Sequence, residues 1–148
     1  MTEPAALPAA PSPAAPADPG AFKRHFARCL AEHGRFSHAA HLHLAWLLLE
    51  EGPALAALAQ FDAGLRALAD ASGQPEKYNA TLTTAYFFLL LERRQAGQSW
   101  ETFAEQHADL LDWEQRQNFL GAFYDEDTLR SEAARRHFLM PRCPDAGP

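Results

Sequence analysis

Two histidines spaced three residues apart stand in the most apolar stretch of the chain, FSHAAHLHLAWLLLEE at residues 36–51. Residues at positions i and i+3 lie on one face of a helix, so the rings of His38 and His41 are expected to be neighbours. Two imidazoles placed in this way can share one metal ion or act as an acid–base pair. The spacing therefore predicts His38 and His41 as catalytic residues or metal ligands, and the metal would be Fe, Mn or Zn.

The same stretch does not supply a third ligand on that face. His43 follows His41 by two residues, which places it roughly 200° around a helix of 3.6 residues per turn. A catalytic zinc usually has three protein ligands, so the pair alone is a weak metal motif. The alternative is that both histidines hydrogen-bond to neighbouring helices or line a polar cavity. His25 and His33 lie in no motif and are expected on the surface.

A second polar segment, EKYNATLT at residues 76–83, precedes an apolar run on the fourth predicted helix. Asn79, Thr83 and Tyr86 fall at i, i+4 and i+7, which gives one polar stripe on that helix. Buried amides and hydroxyls need hydrogen-bond partners, and the histidine pair can supply them. We predict that four residues position a ligand beside the histidines: Glu76, Tyr78, Asn79 and Thr83. The alternative is that the threonines only bond back to the carbonyl four residues earlier.

Hydrophobic spacing predicts the helices that would position these residues, and no segment shows the alternation of strands joined by hairpin turns. The expected helices cover about residues 21–33, 37–52, 53–72, 76–95 and 100–111, with a sixth from 112 and a short helix near the C-terminus. The second and fourth are apolar around most of their circumference, so both are expected to be central and buried. The fold is therefore predicted to be all-α, a compact bundle of five to six helices. The site would lie between the N-terminal end of the second helix and the N-terminal half of the fourth.

Proline and alanine dominate the first twenty residues, which contain six Pro and seven Ala and almost no charge. Repeated proline removes backbone donors and fixes φ, so neither helix nor sheet can propagate there. We predict a disordered tail over residues 1–20, one helical domain over residues 21–140 and a flexible C-terminus over residues 141–148.

Charge and composition exclude several classes of function. The net charge of −6 argues against a nucleic-acid-binding surface, which is typically basic. No stretch approaches the eighteen or more apolar residues of a membrane span, and the N-terminus lacks the pattern of a secretory signal. Cys29 and Cys143 are far apart without CxxC spacing, which is typical of free thiols in a reducing compartment. A cytoplasmic protein with no nucleic-acid or membrane partner is expected.

Three segments of the chain resemble a family of small, largely uncharacterised bacterial helical proteins with the patterns FxHxxHLxxAW, EKYHxTxT and LxSxxARxxF. They stand here at residues 36–46, 76–83 and 129–138, and the resemblance covers roughly residues 36–140. In the family pattern a histidine occupies the position of Asn79. Histidine there would give the Glu-x-x-His spacing of helical di-iron carboxylate sites, whereas asparagine is a much poorer ligand for transition metals.

These features support two hypotheses of different kinds. The first is a protein that binds a small molecule or a metal ion between two buried helices, with enzymatic activity left open. The second is a non-catalytic interaction or scaffold protein, with a homodimer as one form, in which the same polar residues are structural. A separate set of arginines can hold an anion or serve as solvated helix charges: Arg130, Arg135, Arg136 and Arg142. An open pocket that reaches both His38 and His41 would favour the first hypothesis.

Overall fold

The computed structural model describes residues 20–142, which form eight α-helices, two short 3-10 helices and no strand. The α-helices are α1 (Ala21–His33), α2 (His38–Glu51), α3 (Ala54–Ala71), α4 (Ala80–Arg93), α5 (Trp100–Gln106), α6 (Arg116–Leu120), α7 (Glu126–Arg130) and α8 (Glu132–Arg136), and the 3-10 helices are Pro75–Lys77 and Trp113–Gln115. The prediction of an all-α fold is confirmed. The expected tail over residues 1–19 and residues 143–148 lie outside the described part of the chain. Within the described part, no helix is both long enough and apolar enough to cross a bilayer.

Helix α2 lies at the centre of the fold and packs against α1, α3 and α4. The Ser37 hydroxyl caps it by accepting a hydrogen bond from the Ala40 N–H at 3.2 Å. Nine of its fourteen residues are buried, which explains why the sequence is apolar around most of the helix. Trp46 is the largest of them and contacts Trp100 and Phe103 of α5. The expected central position of the second helix is therefore confirmed.

A close approach of α1 and α3 depends on Gly64. A Cβ atom added at this position would lie 2.3 Å from the ring of Phe22. The absence of a side chain lets the Phe22 ring lie against the backbone of α3. The residue after helix α1 is Gly34, which caps its C-terminus. Its φ of 75° is in the left-handed region that glycine adopts at helix C-termini. The chain turns there and returns as α2, antiparallel to α1.

The predicted start of the fourth helix was wrong. Helix α4 begins at Ala80 rather than near Glu76, because the Asn79 side chain caps it and accepts from the Leu82 N–H at 2.9 Å. Glu76 lies before the cap in the 3-10 turn. The fifth helix ends at Gln106 and not at about residue 111 as predicted, and its C-cap residue His107 has a non-helical backbone.

The C-terminal helices α7 and α8 fold back onto the start of α4. The Thr81 hydroxyl is fully buried, lies 2.9 Å from the Ala134 carbonyl oxygen, and accepts from the Leu139 N–H at 3.1 Å. The Asn79 amide donates to the Leu129 carbonyl at 2.7 Å. These bonds tie the end of the described chain to the helix that carries the second predicted segment.

Candidate functional site

An open cavity of about 1040 Å³ lies between α2, α3, the start of α4 and the turn at residues 111–114. Aromatic and aliphatic side chains form most of its wall, including Phe36, Phe61, Leu82 and Trp113. Part of its polar lining comes from α2, the segment that leads into α4 and α4 itself: His38, His41, Tyr78, Asn79, Thr83 and Tyr86. Further polar and charged residues also line it: Arg35, Ser37, Ser72, Lys77, Asp112 and Glu114. Five of the six predicted site residues therefore line one cavity, and this cavity reaches both histidines.

Glu76 is the predicted site residue that lies elsewhere. It is exposed and lines a smaller neighbouring cavity of about 450 Å³. Arg130 and Arg135 of the proposed anion-binding set also line that smaller cavity, whereas Arg136 and Arg142 do not. Arg130 lies 3.5 Å from a carboxylate oxygen of Glu126, so its charge is already partly compensated.

His38 is held in one tautomer by the backbone. Its Nε2 lies 3.0 Å from the Leu110 carbonyl oxygen, which can only accept, so Nε2 carries the hydrogen. The ring also meets Tyr86 edge to face, with centroids 4.6 Å apart, and Trp113 at 5.2 Å. Burial lowers the pKa of His38, and the bond to Leu110 only partly opposes this. The imidazole is therefore neutral near pH 7, with its lone pair on Nδ1.

His41 has the opposite tautomer. Its Nδ1 donates to the Ser37 carbonyl oxygen at 2.7 Å, which leaves the lone pair on Nε2. The ring lies against Phe36 with centroids 4.0 Å apart. Burial lowers the pKa of His41 as well, so this ring is also neutral near pH 7.

The two lone pairs are available to a ligand. No described residue bonds to His38 Nδ1 or His41 Nε2, and neither nitrogen is among the enclosed polar atoms without a partner. Both nitrogens therefore keep some accessible surface, and both rings line the cavity. Backbone carbonyls that fix one ring nitrogen and leave the other free are the usual support of functional imidazoles.

The hydroxyl of Tyr86 is enclosed and has no hydrogen-bond partner among the described residues. The side chain is 4% exposed and lines the same cavity as the histidines. Burial raises the pKa of Tyr86 to about 12, so the hydroxyl keeps its hydrogen and can donate it. Tyr86 lies on the predicted polar stripe but was not among the predicted site residues. An unpaired buried hydroxyl is rare in proteins, and because this one has almost no accessible surface, a partner from the cavity reaches it only if neighbouring side chains move.

Tyr78 and Asn79 use their polar atoms within the protein. The Tyr78 hydroxyl donates to the Asp62 carboxylate, and the Arg66 guanidinium lies 4.4 Å above its ring. Burial, followed by the bond to Asp62, raises the pKa of Tyr78. Asp62 and Arg66 were missed because their i,i+4 spacing on a surface helix resembles an ordinary solvated pair. These bonds fix part of the cavity wall, while one nitrogen of each histidine and the Tyr86 hydroxyl have no partner among the described residues.

Two of the three segments that resemble a bacterial family are bonded to each other, since Asn79 and Thr81 of the second bond to the backbone of Leu129 and Ala134 in the third. The first segment lines the same cavity as the second. Comparisons of the chain with protein-family models, with curated proteins and with solved structures found no match. The resemblance stays a prediction.

Metal-ligating groups come together at a different place from the predicted pair. Among the described residues, one group of three or more His, Cys, Asp or Glu ligand atoms lies within 4.8 Å, and it consists of Glu32, His33 and His43. A metal bound by His38 and His41 would thus lack a third such ligand from this part of the chain. His33, which was expected on the surface, is half-buried, and its Nε2 lies 3.1 Å from the Nδ1 of His43.

Proposed function

We propose that this protein binds a small, largely apolar molecule that carries a hydroxyl or carbonyl group. The observation that supports it best is the pair of histidine nitrogens without a partner among the described residues, His38 Nδ1 and His41 Nε2, on two rings that line one open cavity with a largely apolar wall. The enclosed, unpaired hydroxyl of Tyr86 belongs to a side chain of the same wall. Ligand pockets typically combine an apolar wall with a few polar groups that fix orientation, and this cavity has that composition.

Each polar group has a defined role in the proposal. His38 Nδ1 and His41 Nε2 accept hydrogen bonds from the ligand, and Tyr86 donates one. The burial that lowers the pKa of both histidines keeps their lone pairs free at neutral pH. The same lone pairs would act as general bases if the ligand is a substrate, which is the enzymatic form of the proposal.

Two alternatives have less support. Binding of Fe, Mn or Zn by His38 and His41 would require the ligand to complete the coordination, because the described residues add no third group of the usual kind. A purely structural role fits Tyr78, Asn79 and Thr81, whose polar atoms are bonded inside the protein. It does not account for Tyr86 or for the open cavity. A cytoplasmic location remains part of the proposal, because the two cysteines lack the spacing of a disulfide or redox motif.

Phenol and benzene test the proposal because they have the same shape and differ by one hydroxyl. Calorimetric or NMR titration of the full chain should give tighter binding of phenol, by about 2- to 10-fold, which corresponds to one hydrogen bond. The variant His41→Phe keeps an aromatic wall and should reduce this preference. His107→Phe, outside the cavity, is the matched control and should leave it unchanged. Equal affinities for phenol and benzene in the natural protein would contradict the proposal.

A further inference from the structure

Three potential metal ligands converge where α1 ends and α2 passes beside it. The Nε2 of His33 shares a hydrogen bond with the Nδ1 of His43 at 3.1 Å, and that Nδ1 lies 3.6 Å from the Oε2 of Glu32. All three ligand atoms lie within 4.8 Å of one another. Zinc binds nitrogen and carboxylate oxygen at about 2.0–2.1 Å, so neighbouring ligand atoms of a tetrahedral site are about 3.3 Å apart. The two observed separations bracket this value, and the three side chains therefore need little movement to bind one ion.

The surroundings keep these groups in ligand form. Arg28 Nε donates to Glu32 Oε1 at 2.9 Å and lowers the pKa of Glu32, which leaves Oε2 ionised and directed at His43. Burial lowers the pKa of His43 to about 4, so the ring is neutral at pH 7. Metal binding then requires only that the hydrogen shared between His33 Nε2 and His43 Nδ1 moves to another ring nitrogen. Glu101 adds a further negative charge that acts on His43. The positive charge of Arg28 repels a bound cation, so the close placement of the three ligand atoms must outweigh this repulsion.

Two features of the fold favour a cation at this place. His33 is the last residue of α1, where the unpaired carbonyls and the helix dipole attract positive charge. The ring of His43 is 1% exposed and stacks on Trp100, with centroids 4.5 Å apart and planes within 2° of parallel. His43 is thus held rigidly, while Glu32 is exposed and leaves a route for the ion from solvent.

We propose that Glu32, His33 and His43 form a binding site for a divalent transition-metal ion of the zinc type, with the fourth position open to water. Two imidazoles and one carboxylate suit Zn²⁺ and Co²⁺ better than Mg²⁺ or Ca²⁺, which prefer oxygen ligands alone. The site is distinct from the cavity of His38 and His41 and does not depend on the function proposed for that cavity.

Metal titration of the full chain, without a histidine tag and after treatment with a chelator, tests the site. Zn²⁺ should bind at one equivalent by calorimetry. Co²⁺ should give the visible absorption of tetrahedral coordination, and either ion should perturb the fluorescence of Trp100. Bound Zn²⁺ should also raise the midpoint of thermal unfolding, because it binds only the folded protein.

Variants assign the ligands. Glu32→Gln and His33→Gln should each weaken Zn²⁺ binding at least 10-fold, as expected when a ligand is lost. Glu32 is exposed, so its isosteric variant keeps the packing and remains informative if a histidine variant unfolds. His38→Gln is the control and should bind Zn²⁺ as the natural protein does. The proposal is overturned if the natural protein fails to bind Zn²⁺ at micromolar concentrations, if Glu32→Gln binds equally well, or if His38→Gln abolishes binding.

Discussion

The ring of His38 meets the ring of Tyr86 edge to face, with centroids 4.6 Å apart, in the wall of one open cavity. One ring presents a lone pair on Nδ1 and the other presents a hydroxyl that no described residue binds. An acceptor and a donor thus stand side by side without satisfying each other. A ligand hydroxyl that accepts from Tyr86 and donates to His38 would satisfy both, once a side-chain movement exposes the Tyr86 hydroxyl.

Removal of the Tyr86 hydroxyl should weaken ligand binding without lowering the stability of the protein. Tyr86→Phe should leave the free energy of unfolding unchanged or raise it by up to about 1 kcal/mol, because an unpaired buried polar group is lost. It should at the same time weaken phenol binding. Tyr78→Phe is the matched control and should cost about 2 kcal/mol, because its hydroxyl bonds a carboxylate. Chemical denaturation measures the free energy of unfolding of both variants. If Tyr86→Phe loses as much stability as Tyr78→Phe, the Tyr86 hydroxyl has a partner and the claim that it is unpaired is wrong.

Asn79 holds the start of α4 by two separable bonds. Asn79→Ala should lower the free energy of unfolding by about 2 kcal/mol, since it removes the helix cap and the bond to the Leu129 carbonyl. Asn79→Ser keeps a capping oxygen and should recover about half of this. Denaturation curves of the two variants give their free energies of unfolding and so test this difference. Equal stability of the alanine and serine variants would show that the cap contributes nothing.

Thr81 fastens the end of the described chain to α4. Thr81→Val keeps the shape but removes the hydroxyl that bonds Ala134 and Leu139, so stability should fall by about 2 kcal/mol. Amide hydrogen exchange at residues 137–139 should accelerate. Thr84→Val is the control, since the Thr84 hydroxyl makes no bond to this segment in the described structure. Unchanged exchange in Thr81→Val would refute the proposed attachment.

Much of the fold and of the cavity lining follows from local sequence patterns. The bounds of α1, α2 and α3 were predicted to within about two residues, because helical periodicity, Ser37 and the glycines mark them plainly. The i,i+3 spacing of His38 and His41 also places both rings on one cavity. The start of α4 was missed because Asn79 fits a helical stripe as well as a cap. What places Asn79 at the cap and not inside the helix is its contact with Leu129, which lies fifty residues away in the sequence.

The sequence does contain a signal for the contact of His33 with His43. It comes from the length of the connection between two helices and not from residue spacing within one helix. A turn of four residues joins α1 to α2, and a connection that short makes the two helices antiparallel neighbours. The last residue of α1 then lies beside the first turns of α2. His43 points away from His41, as expected, and therefore toward α1.

Alkaline pH should destabilise the protein through Cys29. The thiol is fully buried, and burial raises its pKa to about 11 in the folded state. The unfolded thiol ionises near its usual pKa of about 8.5, so between these values the unfolded chain binds fewer protons and stability falls as pH rises. Unfolding free energies from pH 8 to pH 11 should fall less steeply in Cys29→Ala than in the natural protein. Parallel curves would contradict the prediction, as would rapid alkylation of Cys29 in the folded protein.

Long-range ¹H–¹⁵N NMR of the histidine rings during phenol titration tests the cavity proposal most directly. We expect His38 to carry its hydrogen on Nε2 and His41 on Nδ1, as their carbonyl partners require. Saturation with phenol should shift His38 Nδ1 or His41 Nε2 and leave the nitrogens of His25 and His107 in place. A His41 ring protonated on Nε2, or no shift at either cavity histidine at saturating phenol, would contradict the account.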